Sequence, residues 1–378
     1  MRAVLPRAFR WFWAAETVSG FGTWITFLAL QVIIVEHLHA GAIGLGWLGA
    51  ARWLPYLLFG LVLGALIDRV RRRPVMIASD LVRAGLLCLI PLLWWSGHLS
   101  LPILLLLVAV LGTATLINDS ASQAFVPRLI PSAALQSAHA RIDGTNAAAE
   151  TAGPALGDGD RKLLREIGAG LRWVYANRSL RDLAIWTHVW FAAQAILPTV
   201  AADYILSDIG LEAFWFGIIV AGSGLGGIIG AVAARPVGLR LGNGLTVILA
   251  HAISTVGVLV LLAAVLVHQA GSVGPNPQLT AVSVLFLGQL LHGFAIGLSN
   301  SREMAYRQSI TPDAFQARTN TTMRSTNRAV IVVFSPVAGV VAAAAGAQFA
   351  LTAAVCIFGL TAIGLWFSAF RTVRLGED

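Results

Sequence analysis

Long apolar runs separated by short polar stretches dominate the chain. Eleven of these runs have a length close to the roughly 20 residues that an α-helix needs to cross a bilayer. Membrane strands would instead give alternating segments of about ten residues. The pattern therefore predicts an all-α polytopic membrane protein. The eleven predicted spans are residues 11–36, 43–67, 74–96, 101–122, 134–157, 183–206, 213–234, 244–268, 280–300, 319–343 and 347–370.

Composition agrees with a membrane protein. The 378 residues are 57% apolar and only 12% charged, whereas a soluble domain has about 25% charged residues. The net charge of +8 does not indicate nucleic-acid binding, because the arginines lie between apolar runs and form no continuous basic surface. The sequence shows no metal-ligand cluster at helical spacing, no nucleophile–base arrangement and no phosphate-binding Gly-Lys-Ser/Thr loop. An enzyme and an ATP-driven pump are therefore disfavoured, and no cofactor is expected.

Lys and Arg residues are concentrated in some of the connections between the apolar runs. They are absent from the turns at residues 37–41, 97–100, 207–212, 269–278 and 344–348. Since cytoplasmic loops of membrane proteins are enriched in Lys and Arg, both termini are predicted to be cytoplasmic. The basic stretches on that side are residues 2–10, 69–73, 128–141, 161–181, 235–240, 302–328 and 371–374.

This orientation requires an even number of spans, and eleven are visible. The fifth span, Ala134–Gly157, runs outward, yet Arg161–Arg181 is basic and amphipathic and is predicted to lie on the cytoplasmic surface. The residues between them, Asp158–Asp160, are too few to cross a core about 30 Å thick. A sixth span is therefore missing. A natural deletion, an engineered deletion and an unrecorded stretch all remain open.

The two halves repeat short patterns, which indicates a duplication. Gly153–Gly157 parallels Ser335–Gly339, and Gly230-Ala231 before Arg235 parallels Gly64-Ala65 before Arg69. Two duplicated bundles place a substrate site between them near the midplane. The predicted domains are an N-terminal bundle of five spans (1–157), a cytoplasmic amphipathic linker (158–182) and a C-terminal bundle of six spans (183–378).

The stretch Gly64–Pro74 places one acid and four arginines between the second and third spans. Its pattern, Gly-x-x-x-Asp-Arg-x-x-Arg-Arg, resembles the signature of the major facilitator superfamily. The resemblance implies two helical bundles and a loop that latches them in one conformational state, since an acid and a base at helix ends make a charge-assisted contact. The alternative is that the arginines anchor the loop to anionic lipid. The implied latch residues are Gly64, Asp68, Arg69, Arg72 and Arg73.

Three further patterns are similar to one branch of this family. Glu150-x-x-Gly153-Pro154-x-x-Gly157 resembles the fifth-helix motif of proton-coupled exporters. Ala51–Pro55 and Asp80-x-x-Arg83-Ala84 resemble the branch that includes enterobactin exporters and macrolide efflux permeases. Two departures stand out: the sixth helix is missing, and the second copy of the loop signature has Ala234 where the acid belongs.

The resemblance implies a monomeric secondary transporter in a bacterial inner membrane. It would export small hydrophobic compounds, drug-like or siderophore-like, in exchange for protons, with the proton gradient as its energy source. The expected partners are the small-molecule substrate, protons and the lipid bilayer. A facilitator or importer of the same fold and a degenerate, non-transporting membrane protein are the alternatives.

Three carboxylates are candidates for proton chemistry. Glu16 lies about 9 Å along the helix from Arg10 and begins a polar stripe with Ser19, Thr23 and Thr26 at helical spacing. Carboxylates within a membrane are costly and functional by default, so Glu16 and Glu150 are the proton-coupling candidates, with a hydrogen-bonded packing role as the alternative. Asp119 is predicted to be the latch partner, through Arg69 or Arg72, with proton carriage as its alternative.

Five polar residues are candidates for the cavity wall. Arg52 either meets an anionic substrate group or extends toward the outer surface. Asp80 and Arg83 are predicted to pair with each other, because they lie three residues apart on one helix. Aromatic residues such as Trp190 and Phe191 line the cavity or face lipid. The five cavity candidates are Arg52, Thr23, Gln194, Gln289 and His292.

Overall fold

The computed structural model describes residues 7–67, 72–129, 168, 170–269 and 276–374. These residues form ten long α-helices, and the predicted all-α class is confirmed. The helices are α1 (Arg7–Val32), α2 (Gly41–Ile67), α3 (Arg72–Trp95), α4 (Leu101–Leu129), α5 (Arg178–Asp203), α6 (Ala213–Leu241), α7 (Asn243–Gln269), α8 (Pro277–Ile310), α9 (Asp313–Ala345) and α10 (Ala347–Trp366).

Nine helices among the described residues are long and apolar enough to cross a membrane. The helix α2 is not one of the nine, but its 27 residues extend about 40 Å. The predicted fifth span (134–157) and most of the linker (158–182) lie outside the described residues. The missing sixth span and the domain boundaries therefore stay predictions.

Polar caps define where two of the helices begin. The Asn177 side chain accepts a hydrogen bond from the Leu180 backbone amide at 3.1 Å, and the Asn276 side chain accepts one from Leu279 at 3.2 Å. Each cap satisfies one of the amides that a helix start leaves without a partner. The helix α5 consequently begins five residues before the predicted span at 183.

One irregularity repeats in the two halves. A π-helical turn, Ile33–His37, follows α1, and a second one, Tyr204–Asp208, follows α5. Each leads into a turn with a glycine at positive φ, Gly41 at 49° and Gly210 at 71°. Because π-helical turns are rare, their recurrence supports a common origin of the two halves.

Glycines allow the closest helix contacts of the second half. A side chain at Gly226 or Gly230 of α6 would collide with the α8 backbone, and one at Gly293 or Gly297 of α8 would collide with α6. Helices in membranes associate through such small residues, since burial from lipid offers no hydrophobic gain. The α6 glycine cluster is thus a packing surface.

The two halves meet along α2 and α9. Gly46 and Gly49 lie against Ser335, and Gly339 lies against the Ala42 carbonyl. A further link is the hydrogen bond of 3.2 Å from Gln31 Nε2 in α1 to the Pro198 carbonyl in α5. The α2–α9 contacts lie at the helix ends that are predicted to be extracellular, so the bundles are held together on that side.

Candidate functional site

Polar side chains of α1 to α4 form a cluster, here called the first-bundle cluster: Glu16, Ser19, Thr23, Tyr56, Asp80, Arg83, Asn118 and Asp119. Arg83 is central to it. Its Nη1 donates to Ser19 Oγ and to Asp80 Oδ1, both at 3.1 Å, and its Nη2 donates to Thr23 Oγ1 at 2.9 Å. The predicted Asp80–Arg83 ion pair is confirmed. Arg83 thereby joins α3 to the polar stripe predicted on α1.

Two neighbouring residues of α4 extend the cluster. Asn118 Nδ2 donates to Asp80 Oδ1 at 3.2 Å, and Asp119 Oδ2 accepts a hydrogen bond of 2.7 Å from the Tyr56 hydroxyl on α2. A charge-assisted hydrogen bond of this kind fixes the carboxylate more firmly than a neutral one would. The Asp119–Tyr56 contact was not anticipated from the sequence. The predicted partners, Arg69 and the Arg72 side chain, lie outside what the structure describes.

Glu16 lies on α1 beside these charged groups. It is partly buried, and the charged side chains within electrostatic reach of its carboxyl are Asp119, Asp80 and Arg83. Three carboxylates and one arginine therefore share this part of the first bundle. Ionised carboxylates within electrostatic reach of one another repel, so this cluster is a candidate for proton chemistry.

A second group of residues lies where the two bundles face each other. The Arg52 guanidinium carbon on α2 is 4.3 Å from the centroid of the Phe27 ring, 5.1 Å from that of Trp53 and 5.6 Å from that of Trp24. Arg328 on α9 lies over Trp53 at 3.7 Å and beside Phe191 at 5.8 Å. We call Arg52, Arg328 and these four rings the arginine–aromatic layer.

Backbone packing fixes the position of Arg52. A side chain at Gly112 of α4 would collide with the Arg52 carbonyl, so α2 and α4 approach closely at this point. The side chain itself stays partly exposed. No carboxylate among the described residues lies within ion-pair distance of the Arg52 guanidinium group. Aromatic rings contact this guanidinium group instead.

A third group, here called the second-bundle cluster, is enclosed by α5, α7, α8 and α10. His292 is 2% exposed. Its Nδ1 is 2.8 Å from Ser254 Oγ, and its Nε2 is 3.0 Å from Gln194 Oε1. The Trp190 ring stacks on the imidazole at an interplanar angle of 12°, and the Phe358 ring lies against its edge. The cluster consists of Trp190, Gln194, His251, Ser254, His292, Glu303 and Phe358.

Sequence reasoning missed the His251–Glu303 pair of this cluster. His251 Nε2 on α7 lies 3.5 Å from Glu303 Oε1 on α8, and the two side chains are only 5% and 9% exposed. The available signal was an ionisable residue in the predicted span 244–268, and Glu303 lies just past the predicted end of the span 280–300. Nothing in the sequence indicates that these two residues meet.

Four of the five predicted cavity residues belong to the three groups described above. Thr23 belongs to the first-bundle cluster, Arg52 to the arginine–aromatic layer, and Gln194 and His292 to the second-bundle cluster. Gln289 is 9% exposed on α8. The Trp190 ring contacts His292, and the Phe191 ring contacts Arg328, so both rings have contacts inside the protein.

Ala234, which replaces the acid in the second copy of the loop signature, lies at a contact with Arg302. Arg302 of α8 donates from Nε to the Ala234 carbonyl and from Nη2 to the Arg235 carbonyl, both at 2.8 Å. Gly238 leaves the space for this guanidinium group. Two hydrogen bonds from the Arg302 side chain to backbone carbonyls thus join the end of α6 to α8. Asp68, Arg69 and the fifth-helix motif with Glu150, Gly153, Pro154 and Gly157 lie outside the described residues.

Comparison with known proteins agrees with this architecture. Residues 12–159 match the sequence model of the Major Facilitator Superfamily. The chain is 29% identical over 144 residues to a protein of Bacillus subtilis (strain 168) named Uncharacterized MFS-type transporter YfiS, across 38% of this chain and 33% of that protein. It is 28% identical over 122 residues to macrolide efflux protein A of Streptococcus pyogenes, across 32% of this chain and 29% of that protein. The chain thus spans about a third of the length of the curated relatives it matches.

The fold is similar over a much greater length. A bacterial homologue of the human lysosomal transporter Spinster, solved in an inward-facing and unoccupied conformation, superposes with a TM-score of 0.66. The alignment covers 99% of this chain and 100% of that one at 12% identity, so it shows the fold alone.

The resemblance to the major facilitator superfamily is thereby confirmed. The superfamily's sequence pattern covers residues 12–159, and the fold is that of its transporters. The protein is a multi-pass membrane protein, with nine helices among its described residues that are long and apolar enough to cross a membrane.

Proposed function

We propose that the protein is a secondary active exporter that exchanges small hydrophobic compounds for protons by alternating access. The observation that carries the proposal is the first-bundle cluster, in which Asp80 pairs with Arg83 and Glu16 lies within electrostatic reach of Asp80, Arg83 and Asp119 in the membrane-spanning helices. Such groups mark proton or substrate pathways in membrane proteins. The similarity to macrolide efflux protein A supports export as the direction.

The contacts of α2 with α9 support an inward-facing state under the predicted orientation. Bundles that are joined at their outer ends expose the space between them to the cytoplasm. In the proposed cycle the Gly64–Arg73 loop forms the latch of the opposite state, and Glu16 and Glu150 carry protons. The fifth-helix residues Gly153, Pro154 and Gly157 seal the bundle interface. The location is a bacterial inner membrane, with the chain acting as a monomer and both termini in the cytoplasm.

The test is accumulation in an efflux-deficient bacterium that expresses the full chain. The probes are erythromycin, a neutral hydrophobic dye and 2-naphthoate, each followed with and without a protonophore. We expect lower accumulation of at least one probe than in cells without the protein, and loss of that difference when the protonophore is added. A matched culture expressing Asp68→Asn controls for the effect of membrane expression.

Three results would contradict the proposal. A difference that survives the protonophore would indicate a facilitator, and higher accumulation in expressing cells would indicate an importer. Identical accumulation of all three probes, with the protein present in the membrane, would favour the degenerate, non-transporting alternative.

A further inference from the structure

A cavity of about 170 Å³ lies where the end of α6, the start of α7 and the segment after α10 meet. Three arginines line it: Arg240 of α6, Arg302 of α8 and Arg374 of the segment after α10. No Asp or Glu is among the described residues that line it. A cleft whose wall carries charge of one sign concentrates ions of the opposite sign, so this cavity is suited to an anion.

Two glycines bring the three arginines together. Gly238 leaves room for the Arg302 guanidinium group beside the last turn of α6, which contains Arg240. Gly242 follows the same helix at a φ of 81°, and a side chain added there would lie 3.1 Å from Cγ of Arg374. Arg302 and Arg374 therefore pack against the short stretch 238–242 that also contains Arg240.

The arginines have different surroundings. Arg302 is 9% exposed, and its Nε and Nη2 donate to the carbonyls of Ala234 and Arg235. The side chains of Arg240 and Arg374 are exposed, and no described carboxylate lies within ion-pair distance of either one. Arg302 thus contributes a fixed positive charge to the wall, whereas Arg240 and Arg374 can turn their guanidinium groups toward a bound anion. Guanidinium groups bind phosphate through paired hydrogen bonds.

A buried polar side chain in the wall also indicates a ligand. Asn243 lines the cavity, and only 1% of it is exposed. Its Nδ2 donates to the Arg302 carbonyl at 2.9 Å, whereas its Oδ1 has no hydrogen-bond partner in the described part of the chain. Buried side-chain oxygens nearly always have a partner. A hydroxyl group is a donor of the kind that this oxygen requires.

The cavity borders the membrane under the predicted orientation. The helix α6 is long and apolar enough to cross a bilayer, and the basic stretches 235–240 and 371–374 are predicted to be cytoplasmic. Leu239 also lines the cavity and is 51% exposed, so apolar surface adjoins the arginines. Basic pockets on the cytoplasmic side of membrane helices bind the headgroups of anionic lipids. An exposed leucine favours a lipid over a free phosphate ion, because a lipid brings acyl chains with it.

We propose that this cavity binds the headgroup of an anionic glycerophospholipid, with the phosphate on Arg240 and Arg374 and a headgroup hydroxyl near Asn243. The bound phosphate supplies the negative charge that the second copy of the loop signature lacks, since Ala234 stands where the acid belongs. Arg302, whose Nε donates to the Ala234 carbonyl, lies in the wall of the same cavity. Lipid binding at this site does not depend on the substrate or the direction of transport.

The test compares phosphatidylglycerol with phosphatidylcholine, which both carry a phosphate group but differ in net charge. Affinity for the purified full chain in detergent is measured by native mass spectrometry, and we expect phosphatidylglycerol to bind more tightly. Each arginine at a membrane surface contributes about fivefold to binding of an anionic lipid. Arg240→Gln combined with Arg374→Gln should therefore weaken phosphatidylglycerol binding about 25-fold. The corresponding pair of Lys variants should keep part of the affinity because the charge remains.

The matched control combines Arg235→Gln with Arg371→Gln. It also removes one arginine from α6 and one from the segment after α10, but neither residue is among those that line the cavity. It should bind phosphatidylglycerol as the unmodified protein does. Equal affinity of the unmodified protein for the two lipids would overturn the inference, whether or not the variants fold. A preference that persists without the Arg240 and Arg374 guanidinium groups, or that falls equally in the control, would overturn it as well.

Inorganic phosphate distinguishes a lipid from a soluble anion. An excess of it should leave phosphatidylglycerol bound, because free phosphate lacks the acyl chains that contact Leu239. Displacement of phosphatidylglycerol by inorganic phosphate from the unmodified protein would assign the cavity to a soluble phosphate compound and overturn the lipid as its ligand.

Discussion

The two halves of the molecule each contain a polar cluster inside apolar helices, but the clusters differ in chemistry and in access. The first-bundle cluster holds three carboxylates and Arg83, and the Asp80 side chain, which pairs with Arg83, is 56% exposed. The second-bundle cluster holds two histidines and one carboxylate beneath aromatic rings, and the neighbouring His251 and Glu303 side chains are at most 9% exposed. The two halves share repeated sequence patterns and π-helical turns, but their polar interiors differ.

This difference assigns separate tasks to the halves. A carboxylate that reaches water exchanges its proton readily, whereas a pair enclosed by four helices exchanges it only when the bundle opens locally. We infer that the first half handles protons and the second half acts as a rigid partner. The loops agree with this division, since the second copy of the signature has Ala234 in place of the acid and its carbonyl binds Arg302.

The largest effect is expected from the latch. Asp68→Asn removes the charge of the complete loop signature and should lower proton-dependent export about 5- to 150-fold, the range of a coupling free energy of 1–3 kcal/mol. Export of a transported probe is measured in vesicles of matched protein content. The comparison variant is Ala234→Asp, which restores the acid in the second copy and should not raise export. Unchanged export in Asp68→Asn would remove the latch from the mechanism.

Glu16→Gln should uncouple transport from the proton gradient. A gradient of one pH unit stores about 1.4 kcal/mol per proton, enough for about tenfold accumulation of substrate. In proteoliposomes with an imposed gradient, this accumulation should fall to about unity, while exchange of labelled for unlabelled substrate continues. Glu36→Gln, at the π-helical turn after α1, is the matched control. Gradient-driven accumulation that persists in Glu16→Gln would exclude this residue as the carrier.

The sequence predicted the helices well because each span must hide its backbone from lipid and therefore shows a long apolar run. The predicted span 43–67 is α2, Gly41–Ile67, and the predicted span 347–370 is α10 with the short turn after it. The prediction for α8 ended at 300, ten residues before Ile310. The extra turns contain Arg302 and Glu303, whose charges find partners on α6 and α7.

Side-chain contacts between helices were less predictable. The Asp80–Arg83 pair followed from spacing on one helix, since residues three apart share a face. Tyr56–Asp119 and His251–Glu303 join different helices, and their meeting depends on helix rotation and close glycine packing. Helix rotations of this kind cannot be predicted from composition and periodicity.

Glu303→Gln tests the structural role of the second half. Glutamine keeps the shape of the side chain and can hydrogen-bond to His251, so gradient-driven accumulation should stay within about twofold of the unmodified protein. Glu303→Ala should instead lower the free energy of unfolding by about 3–5 kcal/mol, because it leaves a buried partner unpaired. Thermal unfolding in detergent measures this change. Loss of proton coupling in Glu303→Gln with an unchanged melting temperature would show that the second bundle carries protons.

The smallest effect is expected from Tyr56→Phe. This change removes the hydroxyl that donates to Asp119 Oδ2 at 2.7 Å and keeps the ring beside Trp53, whose centroid is 5.2 Å away. A hydrogen bond to a charged group contributes about 1.5–3 kcal/mol, and part of this is recovered when water reaches the carboxylate. We therefore expect Tyr56→Phe to lower the free energy of unfolding by less than this amount, measured by thermal unfolding in detergent, with little change in the maximal export rate. A loss of export as large as that expected for Asp68→Asn would contradict this expectation and would place the Tyr56–Asp119 hydrogen bond in the transport mechanism.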